Sequence, residues 1–316
     1  MTTLDRPLRS APARRPARGL FSLGDVDEAT VRHLVERSVA LYRRPDLHDV
    51  PLAGRFVGIL FTRTSTRTRT AFTVGTARLG GTPIAFGPQD LQTNTGESLE
   101  DTGRIFGAML DALVARTAGP VHELRELSRA GCLPVLNAMA AEEHPTQGIC
   151  DLATLLLHRG DLSGIRVLYV GEGNNTATAL AQGLAHIPEV SITFYTPPGY
   201  GLPPGLASGG AITETHSAEE LPAEVDVVYT TRWQTTGTSK AAASWRETFR
   251  PFYVDEAFLD RWPNALFMHD LPAHRGEEVA GAVLDGPRSI AWSQARMKLA
   301  SAMATLEWAI PPHGAL

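Results

Sequence analysis

Lysine is nearly missing from this chain: of 29 basic residues among 316, only Lys240 and Lys298 are lysines and the rest are arginines. Such an excess reflects a GC-rich genome as readily as a function, so by itself it excludes nothing. Cysteine is equally scarce, with Cys132 and Cys150 alone and in no metal-ligand spacing. That argues against a disulfide framework and a structural zinc site, and it suits a reducing, cytoplasmic setting. No apolar run approaches the roughly 18 residues needed to cross a bilayer, and no signal-peptide pattern opens the chain. Neither a membrane partner, a metal nor a cofactor is expected. Positive charge is not in excess either. A formal charge of −5 offers no general attraction for nucleic acid, so an anionic substrate must be held by locally placed arginines.

What is present points to a globular α/β protein. Hydrophobic residues make up 43% and charged residues 20%, and the length exceeds what one core usually fills, so two domains of roughly 150 residues are expected. Arg6, Arg9, Arg14, Arg15 and Arg18 lie among prolines and alanines, which reads as a disordered basic tail over 1–20. Val26, Val31, Leu34, Val35 and Val39 then recur at helical spacing within 23–42. Short apolar runs at 56–61, 83–86, 112–115 and 133–136 read as buried strands, with helices starting near Ser65, Glu97, Pro120 and Pro145. The rhythm resumes with strands at 167–170, 191–195, 225–230 and 265–268, while 197–210 is a Pro/Gly-rich surface loop. This alternation predicts two doubly wound parallel-sheet domains with helices on both faces, over 21–150 and 151–290, and a final helix over 291–316 that packs back on the first.

The strongest local signal is Phe61-Thr-Arg-Thr-Ser-Thr-Arg-Thr-Arg69, between an expected strand and an expected helix. A helix start offers unpaired N–H groups and a positive dipole end, and arginine adds planar donors matched to phosphate oxygens. The plainer alternative is a solvated basic helix start capped by Ser or Thr. A second signal, His144-Pro-Thr-Gln147, again opens a helix, and a third is Leu271-Pro-Ala-His-Arg-Gly-Glu-Glu-Val279.

In this order the three stretches resemble the aspartate/ornithine carbamoyltransferase family, and the third is similar to the bacterial ornithine enzymes almost residue for residue. The resemblance implies that Ser65, Thr66, Arg67 and Thr68 form a carbamoyl-phosphate loop. It further implies that Arg116 and His144 hold the carbamoyl oxygen, that Gln147 meets the amide, and that Leu271 and Arg296 belong to the same site. Gln92 matches a family glutamine that reaches into a neighbouring subunit, which implies a homotrimer with shared sites. Negative charge building on the attacked carbonyl would be stabilised by Arg116, His144 and Thr68, with Arg67 on the leaving phosphate, and no protein nucleophile is required.

The acceptor side departs from the family. Val167-Leu-Tyr-Val-Gly-Glu-Gly-Asn-Asn175 is a strand and glycine turn, but Thr176 stands where a dinucleotide fingerprint needs its third glycine, so a nicotinamide-dependent dehydrogenase has little support. Resemblance to the ornithine enzymes gives Asn175 and Asp226 an acceptor role, while Thr230 and Thr231 replace their Ser-Met. Arg232 and Gln234 instead look like the aspartate enzymes' carboxylate clamp, yet Thr95 stands where those enzymes carry a lysine. Asp270 replaces the Cys or Pro that follows the family's His. A carboxylate there would repel a developing oxyanion unless a cation pairs with it, and an acceptor ammonium or a structural arginine could do so. The expected reaction is carbamoyl transfer to an amino acid or diamino acid, ornithine or a shorter one; aspartate as acceptor, or a silent phosphoryl-binding relative, are the alternatives.

Overall fold

The computed structural model describes residues 18–44, 49–207, 210–235, 238–241 and 243–310. Most of the expected basic tail lies outside them. The Asp27 carboxylate accepts the Thr30 amide and starts α1 (Glu28–Arg43), whose buried face is Val31, Leu34, Val35, Val39 and Leu41. Four parallel strands follow, β1 (Phe56–Phe61), β2 (Thr82–Phe86), β3 (Ala112–Arg116) and β4 (Val135–Asn137), in the order β2-β1-β3-β4. Helices α2 (Arg67–Arg78), α3 (Leu99–Met109) and α4 (Val121–Gly131) connect them. Helix α5 (Pro145–Arg159) then leads to the second sheet.

That sheet has five parallel strands, β5 (Arg166–Val170), β6 (Ser191–Tyr195), β7 (Ile212–Thr215), β8 (Val227–Thr230) and β9 (Leu266–His269), in the order β7-β6-β5-β8-β9. Its helices are α6 (Asn175–Leu184) and the short α7 (Trp245–Phe249), α8 (Glu256–Leu259) and α9 (Gly281–Leu284). Finally α10 (Ala291–Ala309) packs against α1, α2 and α5. Both domains are therefore doubly wound parallel sheets, as the alternation predicts. One strand escaped the sequence reading: β7, with the sequence Ile-Thr-Glu-Thr, is a half-exposed edge strand that lacks the apolar run of a central one.

In each sheet the winding direction reverses once, between β1 and β3 and between β5 and β8. Crevices form at the carboxyl ends of strands where this happens. A shared apolar core fixes the two crevices relative to each other, since one cluster runs from Val31 and Leu34 of α1 through Ile149 and Leu152 of α5 to Leu180 of α6 and Met297 of α10. Gly148 permits the approach of α5 to α6; a Cβ there would sit 2.9 Å from the Ala179 carbonyl oxygen. Among the described residues no helix is long and apolar enough to cross a membrane.

Candidate active site

Both reversal points open onto one cleft of about 230 Å³. On the first domain's side, α2 begins at Arg67 without a side-chain cap, so nothing of that kind occupies its first-turn N–H groups. Ser65, Thr66, Arg67 and Thr68 all line the cleft, and the helix start, the hydroxyls and the guanidinium together make an anion cradle. Burial lowers the pKa of Arg67, while the charge of Asp270 opposes the shift.

Arg116 ends β3 in register with Phe61 of β1, which brings it beside the same loop. Its guanidinium is pushed down to about 10 by burial, with Asp270 raising and Arg67 lowering it, so it stays charged at neutral pH. The Arg116 Nε is buried with no hydrogen-bond partner among the described residues. An unused buried donor costs about 1–3 kcal/mol, a cost that a bound oxygen would relieve.

His144 precedes Pro145 at the start of α5 and is 4% exposed. Its backbone N–H donates to the Asn175 carbonyl at 3.1 Å, tying the two domains together at the cleft. Burial first, then Arg116 and Lys298, hold its pKa well below the usual histidine value, so the ring is neutral. Arg116 Nη1 lies 3.5 Å from Nε2, and Thr146 Oγ1 lies 3.3 Å from Nδ1. Because arginine only donates, Nε2 accepts and the ring proton sits on Nδ1. One turn along α5, Gln147 donates from Nε2 to Asp151 Oδ1 at 2.7 Å and accepts at Oε1 from Lys298 Nζ.

The second domain supplies the facing wall. Gly173 turns the chain out of β5 under a close loop, where a Cβ would meet the Gly201 carbonyl oxygen at 2.5 Å. Asn174 then caps α6, accepting the Thr176 and Ala177 amides at 2.9 and 3.1 Å. Capping therefore falls to Asn174, and Asn175 is left to donate to the Ala140 carbonyl at 2.9 Å from within the cleft wall. At the end of β9, Asp270 accepts from Thr176 Oγ1 at 3.1 Å and from Thr231 Oγ1 at 3.0 Å. Leu271 follows with φ 54 and a cis bond to Pro272, and both residues line the cleft. Asp270 takes part in no arginine salt bridge among the described residues. His269 beside it accepts the Leu271 N–H at Nδ1, 2.8 Å away, so that nitrogen carries no proton for Asp270. Arg232 lines the cleft with no hydrogen bond or ion pair among the described residues, and Gln234 lines it while donating to the Thr238 carbonyl at 2.8 Å.

Four expected residues stand elsewhere. Asp226 precedes β8, at the end of the strand opposite the cleft, where Arg166 Nε and Nη2 each hold it at 3.0 Å and its pKa is lowered as a result. Its acceptor role is corrected to a structural one, because four strand residues separate it from the cleft. Thr230 is buried on β8 with its hydroxyl donating to the Val170 carbonyl at 2.8 Å, so it joins the strands and is unavailable to a ligand. Arg296 is exposed on α10 with its guanidinium 5.8 Å from the Tyr42 ring centroid; it lines an adjoining groove that shares Thr66, Arg67 and Lys298 with the cleft. Gln92 is exposed on a 3₁₀ turn, where its Oε1 accepts from Thr95 Oγ1 at 2.8 Å, outside this chain's own cleft.

The sequence reading missed Lys298, Thr176 and Thr235, all of which line the cleft. For Lys298 a signal existed: it is one of two lysines and falls between Met297 and Leu299 in a helical stretch.

Comparison with known proteins accounts for both halves of the chain. A model described as the aspartate/ornithine carbamoyltransferase carbamoyl-P binding domain matches residues 18–156, and the Asp/Orn binding domain of the same family matches residues 163–309. The ornithine carbamoyltransferase of Halorhodospira halophila is 37% identical over 298 residues, covering 92% of this chain and 98% of that one. The one from Parafrankia sp. is 37% identical over 292 residues, covering 89% and 92%. Among solved structures, ornithine carbamoyltransferase from Pyrococcus furiosus superposes with a TM-score of 0.87 at 31% identity, covering 95% of this chain and 98% of that one. With both family domains matched in order and the cleft formed where they meet, the chain belongs to the aspartate/ornithine carbamoyltransferase family.

Proposed function

We propose that this carbamoyltransferase moves the carbamoyl group of carbamoyl phosphate onto the amino group of a diamino acid, ornithine or a shorter one. The observation that carries the reading is the charge layout of one cleft: Arg67 and Arg116 on one wall, Asp270 on the other, without a salt bridge between them. The phosphate rests on the α2 start and Arg67, and the carbonyl oxygen on Arg116 and Thr68. His144 joins them once its ring proton moves to Nε2, with Thr146 donating to Nδ1, and the weak 3.5 Å contact with Arg116 is exchanged for that oxygen. A neutral amine forms the new C–N bond, the carbonyl electron pair moves onto oxygen, and the arginines stabilise that charge. The electron pair then returns to re-form the carbonyl, the C–O bond to phosphate breaks, and phosphate leaves with the electrons of that bond. The acceptor nitrogen loses its proton to Asp270 or to the departing phosphate. Proximity contributes the rest, since both substrates are held in line.

A diamino acid is favoured over aspartate because Asp270 suits an ammonium and repels a second carboxylate, while Arg232 and Gln234 remain for the single carboxylate. The protein acts as a cytoplasmic homotrimer in amino-acid biosynthesis, with Gln92 completing a neighbour's site; its exposure outside its own cleft supports that role. Incubation with carbamoyl phosphate and a panel of amines, followed by phosphate release and detection of the ureido product, tests the reading. Diamino acids should turn over. No release with any amine would overturn the reaction, and aspartate as best acceptor would overturn its acceptor half.

A further inference from the structure

We infer that Lys298 is a positioning residue that holds the side-chain oxygen of Gln147 toward the cleft and so selects a donor whose transferable group carries an N–H, carbamoyl rather than acetyl. The inference rests on carbamoyl phosphate being the donor.

The orientation of a glutamine amide is decided by its partners. Lys298 Nζ can only donate, and it meets Gln147 Oε1. At the other end, Gln147 Nε2 donates to Asp151 Oδ1 at 2.7 Å. Asp151 is committed as an acceptor from further sides, because Gln294 Nε2 donates to the same oxygen at 2.7 Å and Tyr229 OH donates to Oδ2 at 3.0 Å. Gln294 cannot turn over, since its Oε1 accepts the His269 amide at 3.1 Å. Flipping Gln147 would therefore set its NH₂ against an ammonium and its oxygen against a carboxylate. All five side chains are 9% exposed or less, so a group that lost its partner here would be left largely buried.

Gln147 has one lone pair left on Oε1, in the cleft wall beside Lys298. A carbamoyl NH₂ can donate to it. An acetyl methyl cannot, and it would leave that oxygen unsatisfied; a site built for an N–H rejects the analogue lacking it far more strongly than an apolar pocket rejects a methylene. The choice of lysine has a physical reason. A compact ammonium can sit against one amide oxygen in an enclosed place, where a planar guanidinium would need room for five donors. Burial lowers the pKa of Lys298, and Cys150, Asp270 and Asp151 oppose the loss of its charge.

The test compares wild type with Lys298→Met, measuring KM for carbamoyl phosphate and the inhibition constants of acetyl phosphate and inorganic phosphate. The expected result is a rise in KM of about tenfold, with both inhibition constants within about threefold of wild type. Lys298→Gln, which can still donate to Oε1, should recover the preference. Lys298→Thr carries the same expectation as the methionine variant, so a folding defect in one leaves the measurement standing. Equal weakening of all three ligands would mean that Lys298 binds phosphate directly, and unchanged constants would mean that it orients nothing; either result overturns the inference. A wild type inert toward carbamoyl phosphate with every amine would instead remove the donor assignment itself.

Discussion

Thr231 donates its hydroxyl to Asp270 Oδ1 at 3.0 Å, joining the ends of β8 and β9 across the acceptor side of the cleft. Thr176 from α6 meets the other carboxylate oxygen at 3.1 Å. The two hydroxyls fix the carboxylate in place on the wall across from Arg67 and Arg116.

Replacing Asp270 with Asn keeps the shape and removes that charge. The acceptor KM should rise by about tenfold or more, while the KM for carbamoyl phosphate moves by less than about threefold. Initial-rate kinetics with each substrate varied in turn decide it, and an unchanged acceptor KM would show that the carboxylate is structural.

Arg116→Ala should lower kcat by about a hundredfold to a thousandfold, the range for losing a donor to a developing oxyanion. Arg232→Ala should act on the acceptor instead. Its KM should rise and the donor's should not, because Arg232 stands on the second domain's wall and has no other partner among the described residues.

Asp226→Asn is expected to leave the KM values of both substrates unaltered and to lower the melting temperature slightly, since its pair with Arg166 is partly exposed and worth at most about 1 kcal/mol. A raised acceptor KM in this variant would restore the binding role that the fold removes.

The pH dependence of stability has two opposed parts. Burial pushes the Asp151 carboxyl up to about 7, against the pull of Gln147, Lys298 and Gln294. Its folded pKa lies above its unfolded one, so its contribution is fully present below about pH 4 and lost as pH rises to about 7. The pKa of His144 is depressed by burial, so its contribution is present above about pH 6.5 and lost as pH falls below that. Urea unfolding between pH 4 and 8 separates them. Asp151→Asn should make stability climb more steeply with pH, and His144→Asn should make it climb less. Identical slopes in all three proteins would rule out both shifts.

Trimer assembly with shared sites predicts complementation. Gln92→Ala and Arg67→Ala proteins, each with low activity, should regain part of it when mixed and reassembled, because some hybrid sites draw both intact residues from different chains. No recovery in verified hybrids would confine each site to one chain.

The two-domain parallel architecture was legible in the sequence, and so was the stretch on which the proposed donor half of the site rests. Strand and helix periods are local, and the anion cradle is a contiguous stretch, Ser65 to Thr68, at a helix start. The sequence could not reveal β7, whose Ile-Thr-Glu-Thr lacks an apolar run because an edge strand buries little. Nor could it tell Asp226 from Asp270. Both are acidic and both adjoin strands, yet one precedes β8 and meets Arg166, while the other follows β9 and faces the cleft. Only the parallel sheet decides this, because every strand's carboxyl end lies on the same edge. Lys298 is the clearest case. In the sequence it is a rare residue between Met297 and Leu299; in the fold α10 carries it against Gln147, 151 positions away, and so gives that amide its direction.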